Sequence, residues 1–206
     1  MDIVFVGIAG GSASGKSSLA QGLCDALGDR CLLLLHDRYY HSLPSHLRDQ
    51  PLAHNYDHPD ALDTGRLVED LSALRAGRRV GLPCYDYACH ARSEQEEPVD
   101  PRPVVLVEGI LVLADPRLRA LLDHGVYVAT PDDIRLARRI LRDIHHRGRA
   151  VDDVVARYLA TVRPMHHEFV APSRAHASLV VDGTQPLERS VASVLALPGV
   201  SPPGAP

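Results

Sequence analysis

The most specific chemical signal in the chain is a short stretch of glycine, serine and lysine. Residues 10–17 read GGSASGKS and complete the G-x-x-x-x-G-K-S pattern of a phosphate-binding loop. Glycine at positions 10 and 15 permits torsions closed to other residues and lets phosphate oxygens approach the backbone amides. Lys16 can then reach the β- and γ-phosphates of a nucleotide, and the Ser17 hydroxyl can ligate Mg²⁺. A Gly/Ser-rich turn that binds nothing is the alternative. The residues predicted to bind the nucleotide are Gly10, Gly11, Ser12, Ala13, Ser14, Gly15, Lys16, Ser17 and Ser18.

Two carboxylates follow apolar runs that have the length of buried strands. Asp37 comes after residues 30–36 and Glu108 after residues 104–107. Because the carboxyl ends of parallel strands meet at one edge of an open sheet, we expect both beside the phosphate-binding loop. Asp37 can accept the proton of an acceptor hydroxyl, and Glu108 can hold Mg²⁺ directly or through water. A strand-end cap for Asp37 and a supporting hydrogen-bond role for Glu108 are the alternatives.

Arginines cluster between residues 135 and 149, within and just after a predicted helix. They are Arg135, Arg138, Arg139, Arg142, Arg147 and Arg149. Helical spacing places several on one face, where a lid over about residues 135–150 can stabilise charge on a transferred phosphoryl group. Charge alone is equally compatible with two alternatives, an exposed basic helix and a surface that binds nucleic acid.

Two ring side chains could contact a planar ligand. Tyr85 can stack on such a ligand, and His90 can donate or accept a hydrogen bond. Packing of both at the edge of a small sheet is the alternative.

These residues need a regular framework to position them. The apolar run at residues 3–8 predicts a strand directly before the loop, and residues 17–27 have apolar side chains at helical spacing. Strands alternating with helices predict an α/β fold, a parallel sheet with helices on both faces, and residues 80–101 predict a small β-hairpin extension. Further strands are predicted at residues 30–36, 104–107, 126–129 and 179–181, and further helices at residues 64–76, 117–122, 132–146 and 152–171, the last bent at Pro164.

Length and composition indicate one ordinary globular domain. We predict a single domain over residues 1–197 of the 206 and a flexible proline-rich tail over residues 198–206. The formal net charge of −4 gives no general reason to bind nucleic acid or an anionic membrane. Cysteines 24, 31, 84 and 89 show neither zinc spacing nor a secretory context, and no leader or membrane span is recognisable. A cytoplasmic protein with free thiols is therefore favoured.

The rest of the sequence narrows the kind of nucleotide chemistry. It contains neither an N-K-x-D guanine-reading pattern nor a long second domain that would couple hydrolysis to motion. Phosphoryl transfer to a small-molecule hydroxyl requires a base, cations and a lid that excludes water, and the chain has a candidate for each.

Seven sequence blocks between about residue 3 and residue 181 share one order and approximate spacing with a known family. The blocks are GIAGGSASGKSS, HDRYY, NYDHPDALD, LPCYDYACHAR, VLVEGILVL, RRILRDIHHRGR and TVRPMHHEFVAPS. With them the chain resembles the uridine kinases, also called uridine-cytidine kinases, a family of P-loop nucleoside kinases. The resemblance implies a P-loop kinase-like fold and transfer of the γ-phosphoryl group of ATP, with Mg²⁺, to the ribose 5′-hydroxyl of uridine or cytidine in pyrimidine salvage. It also implies a homotetramer.

The resemblance also implies roles for individual residues. Asp37 would be the general base, with Lys16 on the phosphates and Arg142 and Arg147 as lid cations. Asp57 would bind the ribose hydroxyls. The residues implied to contact the rest of the substrate are Tyr85 and His90 at the pyrimidine, and Arg139 and Arg149 at substrate and phosphates.

Two departures from the family pattern bear on specificity. Arg157 stands before Tyr158 where the family commonly has a glutamine suited to the base. Arginine can only donate hydrogen bonds, so it can favour carbonyl acceptors or swing to solvent and leave the base to His90. Residues 182–184, Asp-Gly-Thr, replace a Pro-Arg-Gly segment near the adenine, which can alter donor preference, toward GTP for example.

Other readings of the chain remain open at this point. A phosphoribulokinase-like or nicotinamide riboside kinase is the nearest competitor, although Tyr85 and His90 favour an acceptor that carries a base. A non-catalytic regulatory module whose arginines contact RNA is the alternative from another class, and the intact Asp37 and Glu108 argue against it.

Overall fold

The fold is built on a parallel sheet whose central strand leads into the phosphate-binding loop. The computed structural model describes residues 2–48 and 54–201. The sheet's strands are β1 Val4–Gly10, β2 Cys31–Leu35, β5 Val104–Glu108, β6 His124–Ala129 and β7 Leu179–Asp182, while β3 Val80–Asp86 and β4 Ala91–Val99 form a separate hairpin. The sheet order is β2-β5-β1-β6-β7, with every neighbouring pair parallel. The predicted α/β fold with a parallel sheet is confirmed.

Strand register brings the predicted chemical residues to one edge of the sheet. Ile8 of β1 lies beside Glu108 of β5, and Leu35 of β2 lies on the other side of Glu108. Gly10, which begins the loop, lies beside Val128 of β6. Because all these strands end at the same edge, the residues that follow them share one crevice, as expected for an open parallel sheet.

Helices cover both faces of the sheet, and the alternation of β1 shows why. Phe5 and Ala9 point into a core shared with helix α3 (Thr64–Arg75), whereas Val6 and Ile8 point into a second core shared with helices α1 (Lys16–Leu27) and α9 (Leu187–Leu195). A strand buried on both faces reads as a continuous apolar run, as β1 does. The helices are α1 Lys16–Leu27, α2 Ser45–Arg48, α3 Thr64–Arg75, α4 Pro116–Arg119, α5 Asp132–Arg147, α6 Val151–Arg157, α7 Arg163–Met165, α8 Ala171–Ser173 and α9 Leu187–Leu195.

The helix ends largely follow their sequence signals. Asp63 caps α3, since its Oδ1 accepts a hydrogen bond from the Arg66 amide at 3.1 Å, and Gly77 follows with a φ of 75°. The predicted helix at residues 117–122 is shorter and earlier, at Pro116–Arg119. Helix α9 has no counterpart among the helices predicted from the sequence.

Residues 152–171 were predicted to form one helix bent at Pro164, but the segment from α6 to α8 is divided into several helical stretches. Two π-helical stretches, Tyr158–Val162 and His166–Val170, flank the short α7. At the end of the first, the Arg163 amide donates to the Tyr158 carbonyl, five residues earlier. Proline cannot donate to the preceding turn, so the wider turns beside Pro164 and Pro172 keep the segment helical where an α-helix would break.

The carboxyl-terminal segment packs further than predicted. Val200 is fully buried in the core that holds α1, and the carbonyl of Pro198 lies 2.9 Å from His124 Nε2. The packed structure therefore reaches at least residue 200, beyond the predicted boundary at residue 197. Residues 202–206 of the predicted tail lie outside the described residues. No helix in the described ranges is long and apolar enough to cross a membrane.

Candidate active site

The phosphate-binding loop has an uncommon backbone conformation. Gly10, Ala13 and Gly15 all have positive φ angles, of 149°, 63° and 103°. A left-handed alanine is strained, and such strain concentrates at ligand-binding loops. Helix α1 begins at Lys16 directly after Gly15, and no side chain within the described chain caps it. Its first amides, with the positive end of the helix dipole, therefore face the loop as a binding site for an anion.

Neighbouring elements pack so closely on the loop that they fix its shape. A Cβ at Gly10 would lie 2.7 Å from the Val128 carbonyl oxygen, and one at Gly11 would overlap the Arg135 guanidinium. One at Gly183 would overlap both Thr130 Oγ1 and the Ser14 carbonyl oxygen. The loop is thus a preformed cradle supported by β6, α5 and the end of β7.

A lysine and a carboxylate meet at the floor of the site. Lys16 Nζ lies 3.4 Å from Glu108 Oε1, and both side chains are about nine-tenths buried, with exposures of 11% and 9%. The Ser17 side chain lines the same cavity. A hydroxyl and a carboxylate are the hard oxygen donors that Mg²⁺ prefers. The described ranges contain no cluster of three or more His, Cys, Asp or Glu able to hold a metal, so an ion here would complete its shell with phosphate oxygens and water.

One cavity of about 680 Å³ collects most of the predicted site residues. Predicted residues on its wall are Ser12, Lys16, Ser17, Asp37, Asp57, Tyr85, His90, Glu108, Arg139, Arg142, Arg147, Arg149 and Arg157. Residues on its wall that the sequence analysis did not single out are Tyr40, Tyr56, Tyr87 and Ile110.

Asp37 faces the cavity from the turn that follows β2. Its side chain is open to the cavity space, yet protein atoms surround it on the other sides. This burial, together with the negative charge of Glu108, raises the pKa of Asp37 to about 6, although Lys16 acts in the opposite direction. A carboxylate that titrates near neutrality is suited to accept a proton.

Asp57 and Arg139 line the same cavity and carry opposite charges. Burial raises the pKa of Asp57, while the positive charge of Arg139 opposes this rise. Arg139 is itself buried and donates a 2.8 Å hydrogen bond from Nη1 to Ser12 Oγ in the phosphate-binding loop. A ligand that contacts both residues would therefore be coupled directly to the loop.

A buried aspartate organises the arginines at the end of α5. Asp143 is fully buried, and its carboxylate accepts from Arg142 at 2.9 Å and from Arg149 at 3.1 Å. Arg147 lies 3.4 Å and Arg139 3.8 Å from the same carboxylate. Burial alone would raise the pKa of Asp143, but the arginines, Arg142 first, hold it below its usual range. One negative charge among four cations leaves an excess of positive charge, which suits a polyanionic ligand.

The other arginines of α5 do not belong to this cationic group. The Arg135 side chain is buried, with its Nη2 2.6 Å from Asp132, and Arg138 Nη1 donates to the Gly183 carbonyl at 2.9 Å. The first part of the predicted lid over residues 135–150 thus packs on the phosphate-binding loop and its neighbours, and the lid itself stays a prediction. Arg135 and Arg139 are buried, whereas Arg138 and Arg147 are exposed, so only part of the helix surface is both exposed and basic.

Ring side chains form another part of the cavity wall. The Tyr56 hydroxyl lies 2.7 Å from His90 Nδ1, and the Arg157 guanidinium lies 5.1 Å from the centre of the Tyr56 ring. Burial, with the charges of Arg157 and Arg149, lowers the pKa of His90 and so favours the neutral ring. A neutral ring held at Nδ1 presents Nε2 as a single donor or acceptor, depending on the tautomer.

The hairpin that carries Tyr85 and His90 is clamped to the chain that follows β2. Arg38 Nε donates to the Pro83 carbonyl at 2.8 Å, and Arg92 donates to the carbonyls of Tyr39 and Tyr40 at 2.6 and 2.8 Å. His90 has a φ of 52°, uncommon for a residue with a side chain. The same turn thus fixes Asp37 and the hairpin together.

A second cavity of about 400 Å³ opens on the other side of the loop. Val181 and Leu187 give it apolar walls, and Gln185 adds an amide. The Asp182 carboxylate accepts hydrogen bonds from the amide and hydroxyl of Thr184, at 2.8 and 2.6 Å. The departure at residues 182–184 therefore forms a compact turn at the edge of this cavity.

Comparisons with known proteins agree with this geometry. The sequence pattern of the Phosphoribulokinase / Uridine kinase family matches residues 5–187. The chain belongs to this family. The chain is 50% identical over 182 residues to a uridine kinase of Chloroflexus aurantiacus, covering 87% of each chain. It is 46% identical over 179 residues to a uridine kinase of Geobacillus kaustophilus, covering 86% of this chain and 85% of the relative.

A solved structure of low sequence similarity shares the fold. A structure described as a possible uridine kinase from Bacillus stearothermophilus superposes with a TM-score of 0.65 at 18% identity, covering 88% of this chain and 90% of that one. The kinase fold of the phosphoribulokinase/uridine kinase family is thus present in this chain, and the recognition made from its motifs is confirmed.

Two side chains of the site, Asp143 and Tyr56, were not predicted from the sequence. Asp143 lies among arginines and looked like part of a solvated, charged helix, but it is fully buried. Tyr56 lies inside the block NYDHPDALD, of which only Asp57 was singled out. The position of Tyr56 two residues from other ring-bearing side chains, at His54 and His58, was the available signal.

Proposed function

We propose that this chain is a uridine-cytidine kinase that transfers the γ-phosphoryl group of ATP to the 5′-hydroxyl of uridine or cytidine. One observation carries the proposal: Asp37, with a pKa of about 6, shares one cavity with Lys16 and with several ring side chains. The relatives named uridine kinases support it. The products would be UMP or CMP and ADP.

In the proposed reaction, Asp37 removes the proton from the 5′-hydroxyl as its oxygen attacks the γ-phosphorus. The phosphoryl group passes to that oxygen, and the bond to the β-phosphate oxygen breaks. A base whose pKa lies near neutral pH is largely ionised and still basic enough to accept a proton. Burial raises the pKa of Asp37 into this range.

Cations around the transferred group would stabilise its charge. Lys16 would hold the β- and γ-phosphates from the loop side, while Arg142 and Arg147 would approach from the end of α5. Their shared contact with Asp143 supports this arrangement, because it fixes both guanidinium groups before ligand arrives.

We infer that Ser17 and Glu108 would hold Mg²⁺ with the phosphates. Bound there, the ion would neutralise part of the negative charge of the phosphates. The 3.4 Å contact of Glu108 with Lys16 supports this position, since the carboxylate already lies beside the loop's cation.

The nucleoside would occupy the rest of the large cavity. Asp57 would accept hydrogen bonds from the ribose hydroxyls, with Arg139 and Arg149 at the ribose and phosphate side. Tyr85 and His90 would contact the pyrimidine, and a choice of His90 tautomer would admit uracil or cytosine. Arg157 would lie at the same end, where its contact with Tyr56 supports a role at the base.

The donor nucleoside would lie in the second cavity, between β7 and the start of α9. Apolar walls at Val181 and Leu187 suit a purine ring, and the Gln185 amide can read either adenine or guanine. We propose ATP as the donor, with GTP as a further donor to test.

The same proposal covers the setting of the reaction. We propose a cytoplasmic homotetramer with small-molecule substrates and no nucleic-acid or membrane partner. Light scattering of the purified chain tests the tetramer. If the protein bound RNA with an affinity that falls steeply with salt, it would contact RNA phosphates. That result would contradict the proposal that it has no nucleic-acid partner.

A coupled assay of ADP production tests the function. Uridine, cytidine, ribulose 5-phosphate and nicotinamide riboside are each supplied separately with Mg²⁺ and ATP, and then with GTP in place of ATP. Saturable turnover with uridine or cytidine alone is expected. Turnover only with ribulose 5-phosphate or nicotinamide riboside would assign a different acceptor, and silence with measurable ATP binding would favour a regulatory module.

A further inference from the structure

Two half-buried cysteines lie side by side, away from the site described above. Cys24 is in the second half of α1 and Cys31 is the first residue of β2, and their Sγ atoms are 2.9 Å apart. Neither cysteine lines either of the two cavities beside the phosphate-binding loop. Cys31 starts its strand at the edge of the sheet opposite to Asp37. The pair therefore needs an explanation of its own.

Backbone hydrogen bonds hold the two cysteines at this distance. The Gly28 amide donates to the Cys24 carbonyl, and the Cys31 amide donates to the Gly28 carbonyl. Gly28 has a φ of 53°, which allows the chain to reverse between helix and strand. Cys31 is also fixed in the sheet beside Val104. The fold itself, more than side-chain motion, brings the thiols together.

We propose that Cys24 and Cys31 form a reversible oxidation site that takes a low-molecular-weight disulfide as oxidant and closes to an intramolecular disulfide. A covalent S–S bond is about 2.05 Å long, so the sulfurs have to approach by less than about 1 Å. A small rotation of either side chain supplies such a movement without displacing the backbone.

The environments of the two thiols differ in the way that exchange requires. The hydrogen bond from Cys31 lowers the pKa of Cys24, and the same bond raises the pKa of Cys31. Cys24 is therefore the attacking thiol and Cys31 the resolving thiol, since the thiolate is the nucleophile.

The proposed exchange has two balanced steps. The Cys24 thiolate attacks one sulfur of the small disulfide, which forms a mixed disulfide and releases one small thiolate. Cys31 then loses its proton to that thiolate and attacks Cys24 Sγ, which releases the second small thiolate, and this thiolate takes from the solvent the proton that Cys24 had lost. The protein dithiol is oxidised by two electrons, and the small disulfide is reduced to two thiols.

The sequence allows a direct test on the full chain. The protein is incubated with glutathione disulfide, its remaining thiols are alkylated, and it is digested with trypsin without reduction. Cleavage after Arg30 separates the two cysteines, so an intramolecular disulfide joins peptide 17–30 to peptide 31–38. We expect this linked pair to exceed any pairing with Cys84 or Cys89 by at least about tenfold.

Other outcomes would overturn the proposal. Full alkylation of Cys24 and Cys31, or stable glutathione on Cys24 with Cys31 free, would show that the pair does not close. Cys24→Ser should abolish the linked peptides, whereas Cys89→Ser removes an exposed cysteine and should leave their yield unchanged. The wild-type digest decides alone, so poor folding of a variant would not obscure the result.

Discussion

Arg149 contacts Asp143 twice, once through the backbone and once through the side chain. Its amide donates to the Asp143 carbonyl and its Nη1 to Asp143 Oδ2, both at 3.1 Å. Gly148, with a φ of 61°, turns the chain between them. The end of α5 and the cations beyond it are therefore set by one buried carboxylate.

Replacing that carboxylate should damage both folding and activity. Asp143→Asn leaves the surrounding arginines without their charge partner, so we expect a loss of about 2 kcal/mol in the free energy of unfolding and a fall of at least about tenfold in kcat. Denaturant unfolding and steady-state kinetics measure the two effects. Asp133→Asn changes an exposed aspartate of the same helix and should alter neither. Unchanged kcat in Asp143→Asn would show that the arginines keep their positions without it.

Removing the proposed base should separate catalysis from binding. Asp37→Asn should lower kcat by roughly 10²- to 10⁴-fold while ATP affinity changes little, because the amide keeps the shape and loses the proton acceptor. Asp60→Asn, at a carboxylate that is 92% exposed, is the matched control. Kinetics with uridine and calorimetric ATP binding provide the readouts. Near-normal turnover would reject Asp37 as the base.

The same variant should be more stable than the wild type at alkaline pH. The folded pKa of Asp37, about 6, lies above its ordinary value of 3.8, so its charged form opposes folding and stability is lost as pH rises through this window. Thermal unfolding at about pH 8 should show Asp37→Asn stabilised by on the order of 1 kcal/mol, since water in the cavity screens part of the effect. An equal or lower melting temperature would contradict the raised pKa.

The ionisation of Asp37 should also appear in the pH dependence of activity, as a loss of rate at low pH. Only ionised Asp37 can accept a proton, so kcat/KM should fall about tenfold per pH unit below a pKa near 6 and be level above it until other groups titrate. Rates at constant ionic strength and saturating Mg²⁺ measure the profile. A profile that stays flat down to about pH 4 would mean that Asp37 has an ordinary pKa or is not the base.

The glycine at the end of β7 should be required for nucleotide binding. Gly183→Ala places a methyl group against Thr130 Oγ1 and the Ser14 backbone, so the phosphate-binding loop must shift. We expect KM for ATP to rise about tenfold. Gly65→Ala is the control, because its Cβ would meet only Asp63 Oδ1, at an ordinary 3.7 Å. Equal KM values in the two variants would show that the loop tolerates the displacement.

Arg157, which contacts the Tyr56 ring, should bias the choice between uridine and cytidine. Arg157 can only donate, which favours the uracil carbonyl over the cytosine amine, so Arg157→Gln should lower the ratio of kcat/KM for uridine to that for cytidine by about threefold to tenfold. Arg163→Gln changes an exposed arginine of α7 and should leave the ratio unchanged. An unaltered ratio in Arg157→Gln would place the arginine away from the base.

The sheet and the crevice at its edge could be predicted because they depend on local signals. Each strand of the sheet is a short apolar run, and the rule that parallel strands end at one edge places Asp37 and Glu108 beside the loop. The arginines were harder, because helical spacing does not say which of them a neighbouring element will cover. Arg135 is buried only because Gly11 leaves room for its guanidinium, and no local pattern encodes that contact.

Long-range packing also explains the other differences. Val200 follows Pro198 and Gly199, which read as a frayed tail, yet it fills a gap in the core beside α1 and α9. The π-helical turns around α7 depend on how two prolines are accommodated by packing, which sequence spacing does not specify. Residues 49–53 lie outside the described residues, and Asp57, which follows them closely in the sequence, lines the cavity.

Because Arg135 and Arg139 pin the first half of α5 to the phosphate-binding loop, this helix cannot swing as a rigid flap. In the lid that we propose, closure over substrates would be limited to the segment beyond Arg139, where the last helical turn and Gly148 lead into α6. A small local motion would then be enough to exclude water, because the first half of the helix is already held against the loop.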